Sequence, residues 1–442
     1  MDLEQTNKKY IVKNKEKFIG ELSGFQVVLL YLVKKDFTNE QINKLFRIKF
    51  NYDEDLDFIA MAEDKMKPLI DTYINFGKID FNAIINIIDN MSDNIKINKI
   101  RSFLPREITI SLTNSCPCSC SYCYARSKDK DRITNLDSKT LNDTLKFCND
   151  YGIKIINLTG GDPICYDHID ELFELLKKYD MKCNFSTKSI YNAKMDRILS
   201  NYSDYVESLQ ISLDSLYQEE LDKMVKGISV DSMLETIEHI SGLNLGFEFK
   251  VNSVLTKYNI DRILDLTLLL KDIGVDKHGF APYTFSLGNN DSLLFATHDQ
   301  FMNLLERIKT QDLNDFLIYP ISIDNSTVER PENLCKIGLD GIIINYDGNV
   351  FLCERFCVDK KYSVGNIHDN TLEEIWSSKK INDFFNPSRE KFFSTECYDC
   401  EEYEECVENK GICYINSLVL NGTVYSPDNF CHKISNRKRR IY

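Results

Sequence analysis

Between Glu107 and Pro282 the chain repeats one pattern: a short apolar run, then a stretch with apolar residues three and four apart. Strand-like runs lie at Glu107–Thr113, Ile153–Leu158, Asn184–Ser186, Leu209–Leu213, Phe247–Val251 and Gly279–Pro282. Helical stripes separate them, the clearest being Ile169, Leu172, Phe173 and Leu176, with others at Leu141–Cys148, Met195–Leu199, Met233–Ile240 and Ile263–Leu270. Such alternation demands parallel pairing, because a crossover helix must return the chain before the next strand can run in the same direction. The result is an α/β fold of about six βα units. Its ligand site is expected at the C-terminal ends of the strands.

The first strand runs into Cys116-Pro117-Cys118-Ser119-Cys120-Ser121-Tyr122-Cys123. Cys116, Cys120 and Cys123 are spaced C-x3-C-x2-C, which lets one loop turn three thiolates toward one point. Soft thiolates suit iron–sulfur clusters and zinc. Three ligands leave one position of a four-iron cluster open to another molecule; a zinc knuckle with Cys118 as fourth ligand is the alternative. A second cysteine pattern fills the C-terminal part. Cys335, Gly348 and Cys353 read as C-x12-G-x4-C, and the turn Asn345–Asn349 between two strand-like pieces brings Cys335 and Cys353 together. Cys397, Cys400, Cys406 and Cys413 follow with spacing C-x2-C-x5-C-x6-C, and then Cys431. Such pairs by themselves also suit structural zinc. Cys148, Cys165 and Cys183 read as packing residues, and the six histidines lack metal-like spacing.

The first cysteine loop, with Tyr122 before its last cysteine, resembles the signature of the radical S-adenosylmethionine (SAM) enzymes. The resemblance implies a partial (β/α)6 barrel and a [4Fe–4S] cluster whose open iron is chelated by SAM. It further implies reductive cleavage of SAM to a 5′-deoxyadenosyl radical. It gives roles to the strand ends. Gly160, Gly161, Asp162 and Pro163, after the second strand, match the motif that holds the methionine amino group. Ser186 and Thr187, Ser212 and Asp214, and Asn252 stand where the family contacts SAM and its ribose. The C-terminal cysteines closely resemble the SPASM domain, a twin-cluster extension of peptide-modifying members, with a longer gap before Cys413 than the family commonly has. Carried over, auxiliary cluster I uses Cys335, Cys353 and Cys413, with Cys357 as fourth ligand or an open position. Auxiliary cluster II uses Cys397, Cys400, Cys406 and Cys431. Glu354 is the candidate catalytic base.

Residues 1–98 contain no cysteine and resemble, loosely, the winged-helix-like modules that bind the leader of a precursor peptide at a sheet edge. Strand-like pieces at Tyr10–Val12 and Lys17–Ile19 precede helices expected from Thr38 and over Glu54–Tyr73. Residues 104–310 are then the barrel, and residues 311–442 the SPASM domain. A net charge of −14 argues against a nucleic-acid or anionic-membrane surface. Fifteen cysteines without an export signal point to a reducing cytoplasm.

The expected activity is hydrogen abstraction from a ribosomally made precursor peptide, closing a thioether or carbon–carbon crosslink. Three [4Fe–4S] clusters, SAM and an external electron donor such as flavodoxin or ferredoxin serve it. A formylglycine-forming sulfatase maturase and a non-catalytic zinc-binding peptide partner are the alternatives. Anaerobic reconstitution is expected to give about twelve irons per chain, and iron and sulfide analysis finding zinc instead would defeat the enzyme reading.

Overall fold

The computed structural model describes residues 2–6, 9–14, 17–23, 29, 42, 105–125, 133–313, 315–318, 335, 337–408, 411–428, 431 and 433. The chain divides into two compact units, Met1–Phe103 with Phe147–Ile153, and Leu104–Lys146 with Lys154–Tyr442.

The first unit holds a three-stranded antiparallel sheet, β1 (Asp2–Thr6), β2 (Lys9–Asn14) and β3 (Lys17–Ser23), in that order. Both expected strand pieces fall inside β2 and β3. β1 escaped notice because its residues are mostly polar and give no apolar run. Ile42, in the helix expected from Thr38, is helical and buried, as is Leu29. The rest of that helix and the one expected over Glu54–Tyr73 lie outside the described residues.

The second unit is built on β4 (Glu107–Ser111), β6 (Ile155–Thr159), β7 (Lys182–Thr187), β8 (Val206–Ser212), β10 (Glu248–Leu255) and β11 (Lys277–Pro282). Each pairs parallel with the next. Between them run α1 (Ser138–Asp150), α2 (Ile169–Tyr179), α3 (Ala193–Tyr202), α4 (Gln218–Met224), α5 (Val230–Gly242) and α6 (Ile263–Ile273). Two short strands, β5 (Ser119–Cys120) and β9 (Val225–Lys226), pair separately. The sheet continues past β11 to β12 (Leu317–Ile318), and past β4 to β13 (Gly341–Ile344), β14 (Asn349–Phe351) and β15 (Gly365–Asn366). With β12 and β15 at its ends it stays open, a partial (β/α)6 barrel.

The two faces of the strands differ in chemistry. One face is apolar and lies under helices: Leu172, Phe173 and Leu176 of α2 are fully buried, and Phe173 meets Phe185 of β7 edge-on at 6.3 Å. The other face is polar. Asn184 Nδ2 donates to Asn157 Oδ1 (2.8 Å), Ser208 Oγ donates to Asn184 Oδ1 (2.8 Å), and Gln210 Nε2 donates to Ser186 Oγ (2.9 Å). A closed eightfold barrel fills its interior with branched apolar side chains. Amides and hydroxyls here suit a polar ligand instead.

Beyond β11 comes α7 (His298–Lys309), opened by a capping box of Thr297 and Gln300. In the C-terminal part, α8 (Leu372–Trp376), α9 (Lys379–Phe385), α10 (Tyr403–Glu408) and α11 (Tyr414–Asn421) are short. An aromatic core including Phe351, Phe356, Phe392, Tyr403 and Tyr414 holds them. Phe173→Ala is expected to cost about 3–5 kcal/mol. It should lower the thermal midpoint of the apoprotein, whereas an unchanged midpoint would mean that α2 is not clamped through this ring.

Candidate functional site

The cysteine loop is gripped by backbone on two sides. Gly161 N–H donates to Thr113 O (2.6 Å) and Asp162 N–H to Ser115 O (2.8 Å), joining the turn after β6 to the chain that enters the loop. A Cβ at Gly161 would lie 2.1 Å from Ser115 O, so only glycine permits this approach. Gly160 sits equally close against Thr113. At the loop's far end, a Cβ at Gly288 would lie 2.3 Å from Tyr124 O. The middle of the loop pairs, through β5, with β9. Nothing in the spacing of the cysteines pointed to β9 or Gly288.

Within the loop, Cys116 is exposed and Cys118, Cys120 and Cys123 are half-buried. The Cys116 and Cys118 sulfurs are 3.7 Å apart. Hydrogen bonding from Cys118 lowers the pKa of Cys116, and that of Cys120 to about 7, where Lys188 adds to the effect against burial. Donating to both neighbours raises the pKa of Cys118 itself. Burial pushes Cys123 up to about 11. Cys165, read as a packing residue, lies close enough to Cys116 to feel its charge.

The expected SAM contacts divide into two groups. Asp162 is buried (1 % exposed), and its carboxylate accepts from Thr187 Oγ1 (2.7 and 2.8 Å), Lys188 N (2.8 Å) and Ile164 N (3.0 Å). The last bond caps the 3₁₀ turn that Pro163 opens. Asp214 is fully buried, and it accepts from Tyr122 Oη, Lys188 Nζ (2.6 Å) and Val254 N (2.8 Å). Lys188 also donates to Tyr122 Oη at 2.7 Å. Burial alone would lower the Lys188 pKa, but Asp214 and Cys120 outweigh it and raise it. Asp162, Thr187, Tyr122 and Asp214 therefore hold protein to protein. Ser186, Ser212 and Asn252 stay on the polar face, with Ser212 and Asn252 paired in register across β8 and β10. Lys188 was read only as the last residue of the polar strand end Ser186-Thr187-Lys188 and given no role of its own.

The C-terminal cysteines form two sets. Cys335, its pKa raised to about 12 chiefly by burial, also feels the charges of Cys353 and Cys413. Cys397 is raised to about 12 by burial and then by Cys431, Cys406 and Cys400. Each set holds cysteines close enough for their charges to interact. Cys413, despite its unusual gap, stands with the first. Cys357 feels Cys353 and lines a small cleft with Tyr124, Ser111, Thr159, Asn345 and Glu354. Glu354 meets solvent through this cleft, yet the surrounding protein desolvates it and raises its pKa, partly offset by Arg355 and by a hydrogen bond with Tyr124. Tyr124 in turn shares a 2.9 Å hydrogen bond with Thr159. Among the described residues no three Cys, His, Asp or Glu side chains are arranged as ligands of a single metal ion. Each set is all sulfur, the donor chemistry an iron–sulfur cluster needs.

The Radical SAM superfamily model matches residues 110–270, and the SPASM model, an iron-sulfur cluster-binding domain, matches residues 335–401. The chain is a radical SAM enzyme with a SPASM domain. It is similar to the PqqA peptide cyclase of Gluconobacter oxydans, 22% identical over 74% of this chain and 90% of that one. It is also similar to the GTP 3',8-cyclase of Aquifex aeolicus, 24% identical over 55% of this chain and 79% of that one. Its fold resembles Streptococcus suis SuiB bound to precursor peptide SuiA, with a TM-score of 0.62, 17% identity and 96% of both chains covered. The match spans the barrel and the cysteine-rich part that follows it. Gly161→Val is expected to displace the radical SAM loop and remove roughly four of the irons per chain. Full iron content with normal SAM cleavage would refute the clamp.

Proposed function

We propose that this enzyme modifies a ribosomally made precursor peptide and closes a crosslink within it, a thioether or a carbon–carbon bond. The observation that carries the reading is the shared cleft. Its walls come from the end of the radical SAM loop (Tyr124), the strand ends (Ser111, Thr159) and the SPASM part (Glu354, Cys357). A substrate there would touch the machinery of both matched domains. The peptide class is supported by the names of two similar proteins, a peptide cyclase and a SuiB complexed with its precursor peptide.

Cys116, Cys120 and Cys123 would hold the first cluster. Cys335, Cys353 and Cys413 would hold auxiliary cluster I, with Cys357 as fourth ligand or left free in the cleft. Cys397, Cys400, Cys406 and Cys431 would hold auxiliary cluster II. When bound, the first cluster and SAM supply the hydrogen-abstracting chemistry. Lys188 and Asp214 hold the Tyr122 hydroxyl, and with it the loop. Ser186, Ser212 and Asn252 offer hydroxyls and an amide to the cofactor on the polar face. Closing a crosslink removes two hydrogens from the peptide. One leaves as a hydrogen atom; the other leaves as a proton, which Glu354 would take, and an electron, which an auxiliary cluster held by these cysteines would be there to accept. The raised pKa of Glu354 suits a base that must keep the proton briefly.

Residues 1–98 would be the leader-binding module, 104–310 the barrel and 311–442 the SPASM domain. A leader strand would add to a free edge of the β1–β3 sheet. The enzyme would work in the cytoplasm with a flavodoxin- or ferredoxin-like donor. Among the described residues no helix is long and apolar enough to cross a membrane.

Co-expression with a small peptide encoded beside this chain, followed by mass spectrometry, is expected to show the loss of two hydrogens. An unmodified peptide under active SAM cleavage would sink the crosslink reading. Glu354→Gln is expected to slow product formation about 10²–10⁴-fold while 5′-deoxyadenosine is still released; equal product from both would remove Glu354 from the chemistry.

A further inference from the structure

Arg355 follows Glu354 directly and stands two residues after Cys353. Its Nη2 donates to Cys413 Sγ at 2.9 Å, and its Nη1 to Phe285 O at 3.0 Å and Asn416 Oδ1 at 3.4 Å. The guanidinium also lies beside the Cys353 sulfur, and the two cysteines raise its pKa against the cost of burial. Its hydrogen-bond partners are thus sulfurs and two neutral oxygens, while the buried Asp428 carboxylate accepts from the Cys413 N–H (2.6 Å). Glu354, its neighbour in sequence, turns its carboxylate to Tyr124.

The other cysteine sets sit in different fields. Lys188, whose charge reaches Cys120 of the first loop, is bound to Asp214 at 2.6 Å, so its charge is balanced. Cys397, Cys400 and Cys406 are interleaved with Glu396, Asp399, Glu401, Glu404 and Glu405, all exposed; the cations beside them, Arg389, which donates to the Cys400 carbonyl (3.1 Å), and Lys433, are paired with Glu404 and Glu402. Only the set at Cys413 has a guanidinium donating directly to one of its sulfurs, among the hydrogen bonds described.

An electron added to an iron–sulfur site spreads over iron and sulfur. An N–H donor and a positive charge at the sulfur stabilise the reduced form, and nearby carboxylates destabilise it. We infer that Arg355 makes the Cys335–Cys353–Cys413 site the highest-potential site of the chain, and so the one that receives the electron released at the cleft. This rests on the ligand assignment proposed above and adds a tuning residue to it. Arg355 acts through the sulfurs and does not touch substrate, so it is a positioning residue.

The test is a redox titration of the reconstituted full-length chain, followed by electron paramagnetic resonance, with iron content measured alongside. Cys413→Ala is expected to abolish or alter one of the waves and thereby identify it, and that wave should lie highest in the unmodified protein. Arg355→Met is expected to move the same wave to lower potential and leave the others in place. Arg355→Lys, which keeps the charge but loses the fork, should move it less. Asn416→Asp is nearly isosteric and sets a carboxylate against the guanidinium. It should shift the wave in the same direction even if Arg355→Met fails to hold its iron. Wild-type potentials in fully loaded Arg355→Met or Asn416→Asp protein would overturn the inference, as would a Cys413-linked wave that is not the highest. A Cys413→Ala protein with every wave and all its iron intact would instead overturn the ligand assignment beneath it.

Discussion

The approach of Gly161 to the backbone of Ser115 is the contact on which the rest of the site depends. It lets the turn after β6 press directly on the chain that leaves β4, with hydrogen bonds on both sides of the glycine. The next residue, Asp162, then points its carboxylate at the end of β7. Lys188 continues from there to Asp214 at the end of β8, and Asp214 reaches Val254 on β10. Four strand ends and the Tyr122 hydroxyl are tied by one run of buried charge. Such a network stabilises only when complete, because any member left alone is a desolvated charge.

Two opposite demands meet in the barrel. Its outer face must be apolar to hold helices such as α2. Its inner face must stay polar and unfilled to admit a cofactor, and an amide and hydroxyl ladder does that without orphaned groups. The C-terminal part is joined to this frame by the pairing of β13 with β4. The hairpin β13–β14 leads directly to Cys353 and Glu354, so extension of the sheet is what brings the SPASM residues to the strand ends. The same segment carries Arg355, whose sulfur contact gives one cysteine set a different field from the other two.

Much of the barrel was legible because its strands are buried on one face and its helices carry complete apolar stripes. All six barrel strands fall where the apolar runs lie, with ends displaced by up to four residues, since burial does not mark where hydrogen bonding stops. Missed were α4, which is only seven residues long, the two-residue pair β5–β9, and also α7, although Phe301, Leu304 and Ile308 give it a stripe. Among site residues, the cysteines were legible from spacing and soft-ligand chemistry. Asp162 and Asp214, expected as cofactor contacts, also accept hydrogen bonds from protein donors, because a buried carboxylate takes the N–H and O–H groups the fold brings near it. Lys188 and Arg355 carried no motif.

The amino-acid order by itself determined the class of fold and marked the cysteine loop and the C-terminal cysteines as soft-ligand candidates, while their grouping into sets came from the family resemblance. Period and spacing are local properties that survive without knowledge of neighbours. Only tertiary structure decided which carboxylates are occupied, which cation touches which sulfur, and that Tyr124 and Glu354, 230 positions apart, share one cleft. Those are matters of distance between segments far apart in the chain. A pKa or a local field is set by what lies within a few ångströms, whatever its place in the sequence.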